Sequence, residues 1–139
     1  MKFKKINDTY IIRLEKEEKL MQSIKNFCLK NNVRCGYFTG IGSCDEAELG
    51  AYLLKAKKYN FEYFKQPLEI ANLTGNITTL NGNIHVHCHA TLSDINMEAI
   101  AGHLKEAVIS ATCEIFLVKL DEEVSRKYDE DIGLNLMDP

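Results

Sequence analysis

Tryptophan is absent from the 139-residue chain, proline occurs only twice, and no two cysteines have Cys-x-x-Cys spacing. With prolines only at Pro67 and Pro139 and no Ser/Gly-rich stretch, a linker has nowhere to sit. The chain therefore reads as a single domain, 1–139, with a charge-rich C-terminal tail from about 121 to 139. Five cysteines, Cys28, Cys35, Cys44, Cys88 and Cys113, are an odd number, which argues against a disulfide framework, and their spacing argues against a zinc ribbon. They read instead as small, reduced core residues. Long hydrophobic runs are missing too: a stretch such as Ile115–Val118 falls far short of the roughly 20 apolar residues of a membrane helix. The basic start, Met1 to Asp8, is followed by no apolar leader segment, so the expected location is the cytoplasm, with no membrane partner. Excess positive charge is also lacking. Seventeen basic and 20 acidic residues give a net charge of −3, which offers no electrostatic support for binding DNA through its phosphates.

What is present is ordinary globular material, 45% hydrophobic and 27% charged. Tyr10–Leu14 predicts a first strand. Glu15–Lys30 predicts a helix, with Leu20, Ile24, Phe27 and Cys28 on one face and Asn31-Asn32 as its stop. Cys35–Gly42 predicts a strand running into a Gly-rich turn. Gly40-Ile41-Gly42-Ser43 lacks the Gly-Lys-Ser/Thr of a phosphate loop. Glu48–Leu54 and Tyr59–Phe64 predict further strands. The aromatic residues of the second, at 59, 61, 63 and 64, are expected in the core or at a subunit interface, because no basic residues interleave them for base stacking. Leu68–Leu80 and Asn83–Leu92 flank Asn81-Gly82, a two-residue hairpin signal. Met97, Ile100, Ala101, Leu104, Ala107 and Val108 recur at helical spacing, although Gly102 interrupts them. Thr112–Leu120 predicts a last strand, and the charged segment after it is expected to end the fold or lie along a neighbour.

All four histidines, His85, His87, His89 and His103, fall in one short window, and three of them alternate. Alternate residues of a strand share a face, about 6.5–7 Å apart. A His-x-His pair plus one distant histidine is a zinc-type donor set. If Asn81 and Gly82 form the turn, Thr78 opposes His85, Asn76 opposes His87 and Thr74 opposes His89. The histidine face is then polar, while Leu73, Ile77, Ile84, Val86 and Cys88 form an apolar reverse face, so Cys88 belongs to the core. His87, His89 and His103 are the expected metal ligands. His85 is a spare ligand or a supporting group, with Thr74 and Asn76 alongside. Three imidazoles leave one position open for water, substrate or a carboxylate, for which Glu48, Glu69, Glu98 and Glu114 are candidates. Imidazoles suit zinc but equally other divalent transition metals.

Gly40-Ile41-Gly42, Glu48-Leu49-Gly50, Pro67-Leu68-Glu69-Ile70, Leu73-Thr74-Gly75-Asn76-Ile77, His87-Cys88-His89-Ala90-Thr91-Leu92-Ser93, Gly102-His103-Leu104 and Thr112-Cys113-Glu114 occur in that order. Together they resemble the plant and prokaryote conserved (PPC) domain, also called DUF296, over Tyr10 to Leu136. The resemblance implies an α+β fold with a mostly antiparallel, barrel-like β-sheet, one main N-terminal helix and a homotrimer. It also implies zinc on the His-x-His strand and on the histidine of a Gly-Gly-His-Leu segment, here His87, His89 and His103. Ala101 replaces the first of those glycines. The same resemblance makes the segment through His103 extended rather than helical. DNA binding is commonly ascribed to such proteins, with AT-hooks in the plant members; this chain has no Arg-Gly-Arg-Pro. The fold is also similar to acetolactate decarboxylase. That makes a zinc-dependent lyase or hydrolase acting on a small polar metabolite the alternative to a DNA-associated regulator. A purely structural metal site is a third reading.

Overall fold

The computed structural model describes residues 1–139. Its elements are β1 (Lys2–Ile6), β2 (Thr9–Glu15), α1 (Leu20–Lys30), β3 (Gly36–Leu53), β4 (Lys58–Leu80), β5 (Asn83–Ser93), β6 (Ala99–Lys119), β7 (Ser125–Asp129) and β8 (Leu134–Asp138), with one 3-10 turn at Leu54–Ala56. β3 pairs with both β4 and β6, and β5 bridges β4 and β6. These four strands bond into a ring. β1 and β2 extend it beside β6, and β7 and β8 extend it beside β4. All pairings are antiparallel except the short β4–β7 contact at Thr79 and Ser125. The α+β, barrel-like architecture expected from the resemblance is what the chain adopts, although the ring is interrupted by bulges and is not a regular barrel.

The core lies on one side of these strands and beneath α1. Leu14, Leu20, Ile24, Phe38, Leu73, Ile77, Leu92, Leu104, Ile109, Ile115 and Leu117 are wholly buried there. All five cysteines are buried and free. Burial pushes the thiols of Cys28, Cys44, Cys88 and Cys113 up to about 12, so they are inert filling.

Several local expectations are corrected. The helical spacing of Ile100–Val108 belongs to β6, not to a helix, and Met97 lies in the turn before that strand. Leu104 and Ala107 both point inward although three residues apart, because the pairing with β3 slips between Glu48 and Leu49. A β-bulge has inserted one residue and so imitated a helical step. Gly40–Gly42 is no turn but the middle of β3. A Cβ on Gly42 would come within 2.2 Å of the Thr112 carbonyl oxygen, so glycine there permits close strand contact. The short strands expected at 48–54 and 59–64 are the ends of β3 and β4, which run on through bulges, one of them beside Pro67. α1 starts at Leu20 rather than Glu15, and Glu15 ends β2. No local side chain caps it. Glu106 of β6 instead accepts hydrogen bonds from the Met21 and Gln22 backbone N–H groups, at 2.7 and 3.3 Å. The stop is as expected, with Asn32 left-handed at φ 51°.

The tail is the largest surprise. It folds as the β7–β8 hairpin and returns over its own chain. Glu123 accepts hydrogen bonds from Arg34 and Thr79, Tyr52 donates to the Ile132 carbonyl and Lys57 to that of Glu130.

Candidate metal centre

The register of the β4–β5 hairpin builds the site. Asn81 and Gly82 both have positive φ, 50° and 75°, the geometry of a type I′ turn. That turn pairs Leu80 with Asn83, Thr78 with His85, Asn76 with His87 and Thr74 with His89, as the sequence predicts. The apolar side chains of both strands then fill the core, and the histidines face outward. β5 pairs on its other edge with β6, which sets His103 directly opposite His89. On β6 the chain passes so close to β3 that a Cβ on Gly102 would meet the Gly50 carbonyl oxygen at 2.8 Å. Ala101 is exposed, so alanine is accommodated where the related pattern has glycine.

The rings of His87, His89 and His103 converge. Their centroids are 5.1–5.6 Å apart, and one nitrogen from each lies within 4.8 Å of the others. Zinc needs about 2.0–2.1 Å to each nitrogen, so the rings would have to close in to share one ion. Nδ1 of His103 is buried without a hydrogen-bond partner. An orphaned buried nitrogen is costly unless something else takes its lone pair or proton. Burial, reinforced by His103, His89 and Arg126, pulls His87 down to about 4. Burial and the neighbouring His89 and His85 lower His103 as well. Both rings are therefore neutral at pH 7, the form that ligates metal. Donor type, convergence and the orphaned nitrogen all fit a divalent transition ion.

The other expected site residues are distributed differently. His85 lies beside the cluster, half-buried, but outside the converging set; burial first, then Arg126, lowers its pKa. Thr74 is exposed and donates to Asn72. Asn76 accepts from Arg126 Nη2 at 2.8 Å, and Thr78 accepts from Arg126 Nε at 2.7 Å, so these polar partners hold an arginine rather than an imidazole. Glu69 opposes Ser93, four residues and about 13 Å along β5 from His89. It does not reach the cluster. Glu48 accepts from Lys105 at 2.9 Å; Glu98 is exposed in the turn before β6, and Glu114 is exposed on the outer face. The aromatic residues split. Tyr59 and Phe61 stack at 5.2 Å, and Tyr59 lies 4.7 Å from the His103 ring, so they flank the histidines. Phe64 packs against the core, and Tyr63 donates to Glu46.

Arg126 was not singled out from the sequence. A lone arginine in a charged tail carries no local signal, and only the return of the hairpin brings it to His85 and His87. Tyr59, His85, His87, His103, Arg126 and the β8 residues Leu134–Leu136 enclose a cleft of about 190 Å³.

A profile of the Plants and Prokaryotes Conserved (PCC) domain matches residues 1–121, and the chain belongs to that family. Among solved structures, a candidate DNA-binding protein of Bacteroides thetaiotaomicron is 33% identical, with a TM-score of 0.96 over 99% of this chain and 96% of that one. A plant- and prokaryote-conserved protein of Pyrococcus horikoshii is 30% identical, with a TM-score of 0.88 over 99% and 94%. A protein of Archaeoglobus fulgidus described as metal-containing is 29% identical, with a TM-score of 0.90 over the whole of both chains. Acetolactate decarboxylase of Bacillus subtilis shares the fold alone, at 15% identity and a TM-score of 0.56, over 57% of its own length. No curated protein matches the sequence.

Proposed function

We propose that this chain is a metal-binding PPC protein that holds one divalent transition ion, zinc in the first instance, on His87, His89 and His103, and acts as a cytoplasmic homotrimer in a DNA-associated regulatory role. The observation that carries the reading is the meeting of three ring nitrogens within 4.8 Å of one another, one ring bearing a buried, unpartnered nitrogen. The metal-containing relative from Archaeoglobus fulgidus supports it. Zinc bound there would act as a Lewis acid with an open position. The protein's own residues orient the three rings, keep those of His87 and His103 neutral and flank them with Tyr59.

Support for assembly comes from the outer sheet face. Tyr37, Ile41 and Phe116 are each more than half exposed, on neighbouring registers of β3 and β6. Large apolar side chains set together in this way mark an interaction surface. The DNA-associated role rests on the Bacteroides relative. With a net charge of −3, this chain would reach DNA through partners or assembly rather than through a basic face. Five buried thiols suit a reducing compartment.

Elemental analysis combined with light scattering tests the reading. One ion per chain and a particle three times the 15.8 kDa chain mass are expected, with the ion lost in His103→Ala. A metal-free monomer that takes up no added zinc would overturn it. Fluorescence anisotropy with duplex DNA at physiological salt tests the DNA part directly, and no binding at micromolar protein removes direct contact.

The cleft over the histidines favours a second reading, a zinc-dependent lyase or hydrolase acting on a small polar metabolite. It requires the open coordination position to face that cleft. An ion fully ligated by protein would exclude it.

A further inference from the structure

We infer that Arg126 makes the open side of the histidine cluster a pocket for a small carboxylate anion, and that the β7–β8 hairpin is the strap that carries this arginine into place. The inference deepens the metal-site reading and rests on it: the ion would take one end of the ligand and Arg126 the other.

The guanidinium is fixed from three directions. Nε donates to Thr78 Oγ1, Nη2 to Asn76 Oδ1 and Nη1 to the Asn135 carbonyl. A guanidinium has five N–H donors, so two remain uncommitted. All three acceptors are neutral. None of the ion pairs of the protein involves Arg126, whereas Arg34, the other arginine held by the tail, is paired with Glu123. A half-buried cation without a carboxylate is unfavourable alone. The neighbouring side chains do not relieve it: His85, His87 and His103 share its cleft, and a bound divalent ion would add more positive charge. Every charged element of this cleft would therefore have the same sign. Desolvation accordingly holds Arg126 below its usual range.

Positive charge, two free donors and a planar fork match a carboxylate. The cleft sets its size. Its volume of about 190 Å³ suits a small organic anion. Lactate has that size and carries a hydroxyl for the second end. Arg126 lies beyond residue 121, where the family match ends.

Lactate titrated calorimetrically into the zinc-loaded full chain tests the inference. Wild type should bind, Arg126→Gln should weaken binding by about tenfold or more, and Arg126→Lys, which keeps the charge but not the fork, should fall between. Zinc content measured on the same samples separates the two failures. A wild type without zinc sinks the metal-site reading; a zinc-loaded wild type that ignores lactate, or Arg126→Gln binding as tightly as wild type, sinks the carboxylate pocket alone. Should Arg126→Gln unfold, the Arg126 Nε–H resonance of wild type gives the same answer. It should shift on adding lactate, and an unmoved resonance at saturating lactate overturns the proposal.

Discussion

Strand β5 divides two regions that share one backbone and little else. Its inward side chains, Ile84, Cys88, Ala90 and Leu92, are buried in the continuous core. Its outward side chains, His85, His87 and His89, meet polar neighbours, a second strand's histidine and an arginine from the tail. The inward region is held by area removed from water, a non-directional effect to which every residue adds. The outward region depends on a few groups converging, and it works against stability: neutral, desolvated imidazoles and an unpaired guanidinium are unfavourable until something binds them. One face stabilises the fold, and the other is, on the proposed reading, held ready for a ligand.

That contrast can be broken from either side. The largest effect on stability belongs to the inward face. Leu92→Ala should cost about 3–4 kcal/mol in urea denaturation, whereas His87→Ala should leave the metal-free protein within about 1 kcal/mol of wild type. Equal losses would mean that the two faces do not differ as described. Next is the ligand response. At zinc a hundredfold above its dissociation constant, wild type should gain about 2.7 kcal/mol of stability, and His87→Ala or His103→Ala should gain almost none. Thermal melts with and without zinc read this directly.

Acid sharpens the comparison further. His87 has a folded pKa of about 4, below its unfolded value near 6.5. Between those values the unfolded chain binds more protons, so stability is complete above about pH 6.5 and falls as the pH drops toward 4. The ring is half-exposed, and screening holds the loss to the order of 1 kcal/mol. Denaturation of the metal-free protein across that range should show the slope, and His87→Ala should flatten it. The smallest global effect is expected at the strap. Glu123→Ala removes an exposed partner of Arg34 and Thr79. Overall stability should not change measurably, yet amides of residues 125–138 should exchange faster. Unchanged exchange would show that the strap does not depend on this anchor.

The sequence was legible wherever the controlling physics is local. Asn81-Gly82 dictated a tight turn, and alternation then assigned His85, His87 and His89 their opposite residues correctly. Misreading came where distant strands intervened. Leu104 and Ala107 have helical spacing because a bulge against β3 added a residue, and nothing near them in sequence signals it. Glu15 looked like a helix start because α1 is capped by Glu106, 85 residues from Met21. Thr74, Asn76 and Thr78 were rightly placed on the histidine face, but the arginine that occupies two of them comes from 48 and 50 residues away.

By itself, then, the sequence determined the family, the β4–β5 register and the separation of an apolar from a histidine-bearing face. Turn dihedrals and the two-residue period of a strand are properties of a short stretch of chain. Tertiary structure alone decided that His103 lands opposite His89, and that Arg126, rather than Glu69, joins them. Those placements come from ring closure between β5 and β6 and from the hairpin folding back, contacts whose ends lie far apart along the chain and are held together by the burial of the core between them.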